Sequence, residues 1–178
     1  RFQFDQNWSL SGSMRLVTDR TFLRRYDISN DDRLRTTLAL ERVDRDSYFS
    51  LAGWAVQTMR VGDIQGLQPV ALPELDYRRR IHEELLGGTV QLQLNTLAIA
   101  RAQGQDTQRA FAAVRWDLRR ITTLGQEVTF TAYARADAYN TSDIAATLVP
   151  SYRGLDGFHT RGIAALGYLL LWPGVAAG

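Results

Sequence analysis

Residues 107–138 switch between polar and apolar at almost every step, and that period of two leaves few folds open. In the second half Val128, Phe130, Ala132, Ala134 and Ala136 occupy alternate positions, with Thr129, Thr131, Tyr133, Arg135 and Asp137 between them. In the first half Ala112, Val114, Trp116 and Leu118 alternate with Ala113, Arg115, Asp117 and Arg119. Successive side chains of a strand point to opposite sides, so each run has one apolar and one charged face. A turn at Thr123, Leu124, Gly125 and Gln126 folds the two runs into a hairpin. Each run reads as about ten residues, the length with which a tilted strand crosses a bilayer. The charged face requires water; the apolar face requires either a protein core or lipid.

The same alternation recurs along the chain. A short strand ends near Phe4, and Leu10, Gly12, Met14 and Leu16 alternate with Ser9, Ser11, Ser13 and Arg15. Further strands are expected over residues 33–43, 47–59, 75–81, 90–100 and 161–172, the last stopped by Pro173 and Gly174. The total is about eight or nine strands with no helix, and Glu83 to Leu86 offers at most one helical turn between glycines. The connections run short, long, short, long, short, medium, short, long. Membrane barrels sort tight turns and long loops onto opposite ends in this way, whereas a soluble sandwich has no reason to. Trp8, Phe22, Tyr48 and Trp172, near expected strand ends, fit interfacial aromatic girdles.

Composition narrows the function. The 178 residues include 45% hydrophobic and 22% charged side chains, which excludes wholesale disorder and allows one sizeable domain. All 21 basic residues are Arg, and the net charge is only +2, so a nucleic-acid partner is not expected. Cysteine is absent, which removes disulfides, thiolate metal sites and cysteine nucleophiles. No apolar run approaches the length of a membrane-spanning helix. The chain opens at Arg1 without a signal segment and stops at Gly178 after an apolar run, so it is expected to be a section, residues 1–178, of something longer.

No catalytic motif stands out. Glu74 and Asp76 share a strand face and have the form of a glycosidase carboxylate pair. Arg78 and Arg80 continue that face, so a charge-compensated ladder accounts for them better. His82, Glu83 and Glu84 point to alternating sides and read as a solvated strand end rather than a metal site. In Arg78-Arg79-Arg80 the middle residue faces away from the other two, so the run is no single basic patch. Neither a catalytic residue, a cofactor nor a metal is expected.

Three stretches resemble the LPS-assembly family LptD. They are residues 16–26 (LVTDRTFLRRY), residues 72–77 (LPELDY), similar to a strand start in mid-barrel, and the hairpin of residues 108–141 with Leu124-Gly125 at its tip. Their order and spacing cover nearly the whole chain. The resemblance implies an all-β fold, an antiparallel transmembrane β-barrel section within a larger barrel of the outer membrane of a Gram-negative bacterium. It further implies a non-enzymatic part in lipopolysaccharide transport and insertion into the outer leaflet. The implied partners are lipopolysaccharide, outer-membrane lipid, the lipoprotein plug LptE, and the periplasmic bridge protein LptA through an N-terminal domain outside this section. The family's disulfide cysteines have no counterpart here. On this reading Gln91, Gln93, Asn95, Arg115, Asp117, Arg135 and Asp137 face the lumen. Val114, Trp116, Leu118, Val128, Phe130 and Ala132 face lipid, with Ala134 and Ala136 in the same row. A general porin and a soluble carbohydrate-binding or carbohydrate-active domain are the alternatives. Residues 168–172 (YLLLW) are more apolar than a strand with one wet face requires.

Overall fold

Alternating side chains make a strand economical only when its backbone groups find partners on both sides, and here each strand takes its sequence neighbours. The computed structural model describes residues 1–83, 87–147 and 149–172. Among them nine strands form one antiparallel sheet in simple chain order. They are β1 (Phe2–Gln3), β2 (Trp8–Ser13), β3 (Arg33–Val43), β4 (Ser47–Thr58), β5 (Val70–Glu83), β6 (Gly88–Ala100), β7 (Asp106–Ile121), β8 (Glu127–Ser142) and β9 (Gly157–Leu171). β1 and β9 are open edges, consistent with a section of a larger barrel.

The strands of the central hairpin are 16 residues each, longer than the sequence reading, because pairing continues from Ile121–Glu127 at the turn to Asp106–Ser142 at the far end. β5 begins at Val70, ahead of Pro73, so the proline sits inside a strand and not at its start. Proline has no N–H to give the ladder. The register shifts there against both neighbours, between Ala52 and Trp54 on β4 and between Ala71 and Glu74 on β5. β2 stops at Ser13, so residues 16–26 are loop, with one helical turn, α1 (Phe22–Arg25), where no helix was expected. Of the possible helical turn from Glu83 to Leu86, Glu83 instead closes β5, and residues 84–86, like the stop at Pro173 and Gly174, lie outside the described residues. β9 stays in register with β8 down to Leu171–Glu127, so the apolar run does not break the pairing.

The long connections after β2, β4 and β8 share one end of the sheet with the β6–β7 loop, residues 101–105, which at five residues is no longer than the β7–β8 turn, residues 122–126, at the other end. At the short end, Thr122 N–H donates to the Gln126 carbonyl at 2.9 Å, and Gly125 takes the positive φ of 76° that the turn requires. At the first turn, the Asp5 carboxylate accepts the N–H groups of Asn7 and Trp8, each at 2.7 Å. These two bonds, Trp8 first, hold the Asp5 carboxyl below its ordinary value of 3.8. Because the folded value is the lower one, the turn's extra stability is present above about pH 4 and fades as pH falls through the folded value. Amide exchange at Trp8 is therefore expected to accelerate relative to neighbouring strands below about pH 4. The Asp5→Asn variant should lose that pH dependence, and an unchanged profile in the variant would show that another group controls the turn.

At the long end the loops bond to one another. Arg20 donates to the Arg60 and Asp63 carbonyls, both at 3.1 Å, and Asp32 pairs with Arg24 and, at 3.0 Å, with Arg60. Gln103 N–H donates to the Gly66 carbonyl at 2.8 Å. The Gln105 side-chain oxygen accepts from Thr147 and Gly154, each at 3.2 Å. The loops after β2, β4, β6 and β8 thus form one continuous rim.

Among the described residues no second layer covers the sheet, and the buried apolar side chains are Leu34, Met59 and Ala71. Leu166 is 90% exposed, Leu38 59% and Phe130 43%, although all three lie well inside their strands. The hydrophobic effect does not leave such a face bare in water.

Candidate functional site: the polar face of the sheet

Register decides which side chains share a face. The rows Arg80–Gln91–Arg115–Tyr133, Arg78–Gln93–Ala113–Arg135 and Asp76–Asn95–Phe111–Asp137–Arg161 run across β5 to β9 on one side. All seven residues read as lumen-facing, Gln91, Gln93, Asn95, Arg115, Asp117, Arg135 and Asp137, lie on that side. The opposite side carries Val114, Trp116, Leu118, Val128, Phe130 and Ala132, together with Leu38, Leu40, Leu92, Leu94 and Leu166.

Charge on the polar side is arranged in forks. Residues two apart on a strand share a face, and an Arg there reaches a neighbouring carboxylate with two parallel bonds. Arg78 grips Asp76 at 2.6 and 3.1 Å, and Arg115 grips Asp117 at 2.7 and 2.9 Å, with Thr131 adding a third donor at 2.7 Å. Arg135 grips Asp137 at 2.6 and 3.1 Å while its guanidinium lies 3.8 Å from the centre of the Phe111 ring. Asp137 is 3% exposed and receives a second cation, Arg161 of β9, at 3.2 Å. At the turn end Arg119 meets Glu127 at 2.5 Å.

The ladder expected at residues 74–80 is half realised. Asp76 belongs to the Arg78 fork, whereas Glu74 accepts the Trp54 indole N–H at 2.9 Å. The two carboxylates are thus committed to separate partners. His82 lies 3.6 Å from Asp46, and among the described residues no cluster of metal-ligating side chains occurs.

Sequence reasoning missed a concave pocket of about 540 Å³ on the polar side near the short turns. Tyr48, Arg78, Arg80, Gln91, Gln93, Arg115 and Tyr133 line it, joined by Arg45 and Asp46 from the β3–β4 turn. Its residues come from separate hairpins, so only the register could have revealed it. Of the expected girdle aromatics, Tyr48 lies on this polar side, where Arg78 stands 6.0 Å from its ring centre, and Phe22 lies in α1. Trp8, also among them, does lie on the apolar side, against Phe49 at 5.9 Å, and Phe130 meets Tyr168 on that side at 5.2 Å.

The profile of one protein family, LptD (LPS transport system D), matches residues 1–172. The chain belongs to this family. Its function is accordingly in lipopolysaccharide transport and outer-membrane assembly, and the LptD family is one of Gram-negative outer-membrane proteins. No curated protein matches the chain. For an LptD chain the nine-stranded open sheet fits a partial barrel, and the family is one of transport and assembly.

Proposed function

We propose that this section of LptD spans the outer membrane, with its apolar side against lipid and its polar side lining a hydrated interior past which lipopolysaccharide moves toward the outer leaflet. The observation that carries the reading is the uncovered apolar side, continuous over the sheet, backed by a polar side of forks and amides. In a barrel wall the lipid replaces the missing second layer. The hydrated side lets a sugar headgroup keep its hydrogen bonds while acyl chains remain in an apolar phase. No catalytic step belongs to this reading. The rest of the barrel, and a periplasmic domain that docks the bridge protein LptA, lie in the longer protein of which residues 1–178 are one section.

The lipoprotein plug LptE fits the interior side of β9. There Ile163, Ala165, Leu169 and Leu171 interrupt the polar surface, and Leu169 is 51% exposed. An apolar strip inside a water-filled barrel calls for a protein cover.

The test is purification of the parent protein. Recovery only in detergent, with lipopolysaccharide and a small lipoprotein bound, is expected. Recovery in detergent without the lipoprotein would favour a solute-conducting porin. A monodisperse species in plain buffer would make the apolar side a core and end the membrane reading.

A further inference from the structure

The polar pocket carries cations that the sheet itself does not neutralise. Arg78 and Arg115 each spend two donors on their own forks. Asp44 is paired with Arg42 at 3.1 Å, and the Asp46 carboxylate lies 3.6 Å from the His82 ring. Arg45 and Arg80 have no carboxylate partner among the described residues, yet the fold draws them together. The Arg80 N–H donates to the Asp46 carbonyl at 2.7 Å, which fastens the turn bearing Arg45 beside β5. Gln91, Gln93 and Tyr133 line the same pocket.

We infer that this pocket binds a phosphate group on the headgroup of a glycolipid, with Arg45 and Arg80 as its cationic ligands. Guanidinium forks match phosphate oxygens in shape and charge. Amides and a tyrosine beside them suit sugar hydroxyls, and a space of about 540 Å³ admits a phosphorylated sugar ring. An acidic protein segment would meet the same charges, and the test below separates it from the lipid. The inference rests on the transport reading above and assigns a headgroup site within it.

The test uses the full parent protein in detergent, with labelled lipopolysaccharide and the same lipid after enzymatic dephosphorylation. Arg45→Gln and Arg80→Gln are each expected to weaken binding of the phosphorylated lipid about tenfold, the loss typical of one charge-assisted contact. Arg80→Lys should recover part of it. Binding of the dephosphorylated lipid should not change. Arg35→Gln, elsewhere on the polar face, should bind as the parent does. Competition by millimolar inorganic phosphate would mark a site for the free anion as well as the headgroup, and its absence a site that also requires the sugar; each supports the assignment. Equal binding of the phosphorylated lipid by parent and both glutamine variants, with all forms folded by heat-modifiable gel mobility, would overturn it. So would loss of a co-purifying protein with lipid binding intact. If the parent binds neither lipid, the transport reading itself falls.

Discussion

An arginine in place of Ala134 is expected to abolish assembly of the parent barrel, whereas an arginine in place of Ala113 is expected to leave it folded. The two alanines are one strand and one face apart. Ala134 lies mid-way along β8, between Val114 and Ala164 on the apolar side. Ala113 pairs with Gln93 and Arg135 on the polar side. If the apolar side meets lipid, an arginine at mid-depth costs about 2–4 kcal/mol, a large share of a marginal stability. On the hydrated side the same guanidinium keeps its water and meets only a like charge at Arg135, at a cost of well under 1 kcal/mol. The measurement is the fraction of protein in the fast-migrating, heat-modifiable form after folding into lipid vesicles. Equal folding of the two variants would show that the apolar side is not lipid-exposed. The reverse order would invert the faces.

How much of this could be read from the sequence depended on how local the cause was. Strict alternation is local, so β3 has the bounds read for it, residues 33–43, and the two faces of β7 and β8 were legible from the sequence. The tight turns were also legible, since Asp5, Asp44 and Gly125 act on residues a few places away. β5 was read too short because a proline usually ends a strand. Only paired shifts in register on both flanks let the strand run through Pro73. β9 was read as starting at Arg161 because Gly157, Phe158, His159 and Thr160 show no clear alternation. Their pairing with residues 138–141 of β8 makes them strand.

The long-loop rim and the polar pocket share a deeper cause of illegibility. Arg20 finds Arg60 and Asp63 some forty residues away, and Gln105 finds Gly154 across a similar span. Composition gives no hint of such pairings, whereas the meander order makes them neighbours, because loops at one end of consecutive hairpins must crowd together. The forks lie between these extremes. Their i, i+2 spacing is written in the sequence at residues 76–78, 115–117 and 135–137. The second cation on Asp137 is not, because Arg161 comes from the next strand.

That second cation makes Asp137 the position on the polar side where loss of a carboxylate is expected to hurt most. Asp137→Ala leaves Arg135 stacked on Phe111 without its anion and leaves Arg161 without the partner that ties β9 to β8 at that level. Asp76 serves a single arginine whose side chain is 61% exposed, so the solvent can take over when it is removed. Asp137 is nearly inaccessible and the Arg135 side chain is only 26% exposed, so removing the shared carboxylate leaves two like charges facing each other, one of them largely shielded from solvent. The expected order of lost stability is Asp137→Ala, then Asp117→Ala, then Asp76→Ala, with Asp117 above Asp76 because its removal also takes the acceptor from the Thr131 hydroxyl. Urea unfolding of the barrel in vesicles checks the order. Pairing Asp137→Ala with Arg161→Ala in a double-mutant cycle then separates the tie between strands from the fork within β8. A coupling energy near zero between residues 137 and 161 would mean that β9 is held by its backbone ladder alone. A clear coupling would identify Asp137 as the side-chain link that carries the polar face from β8 onto β9.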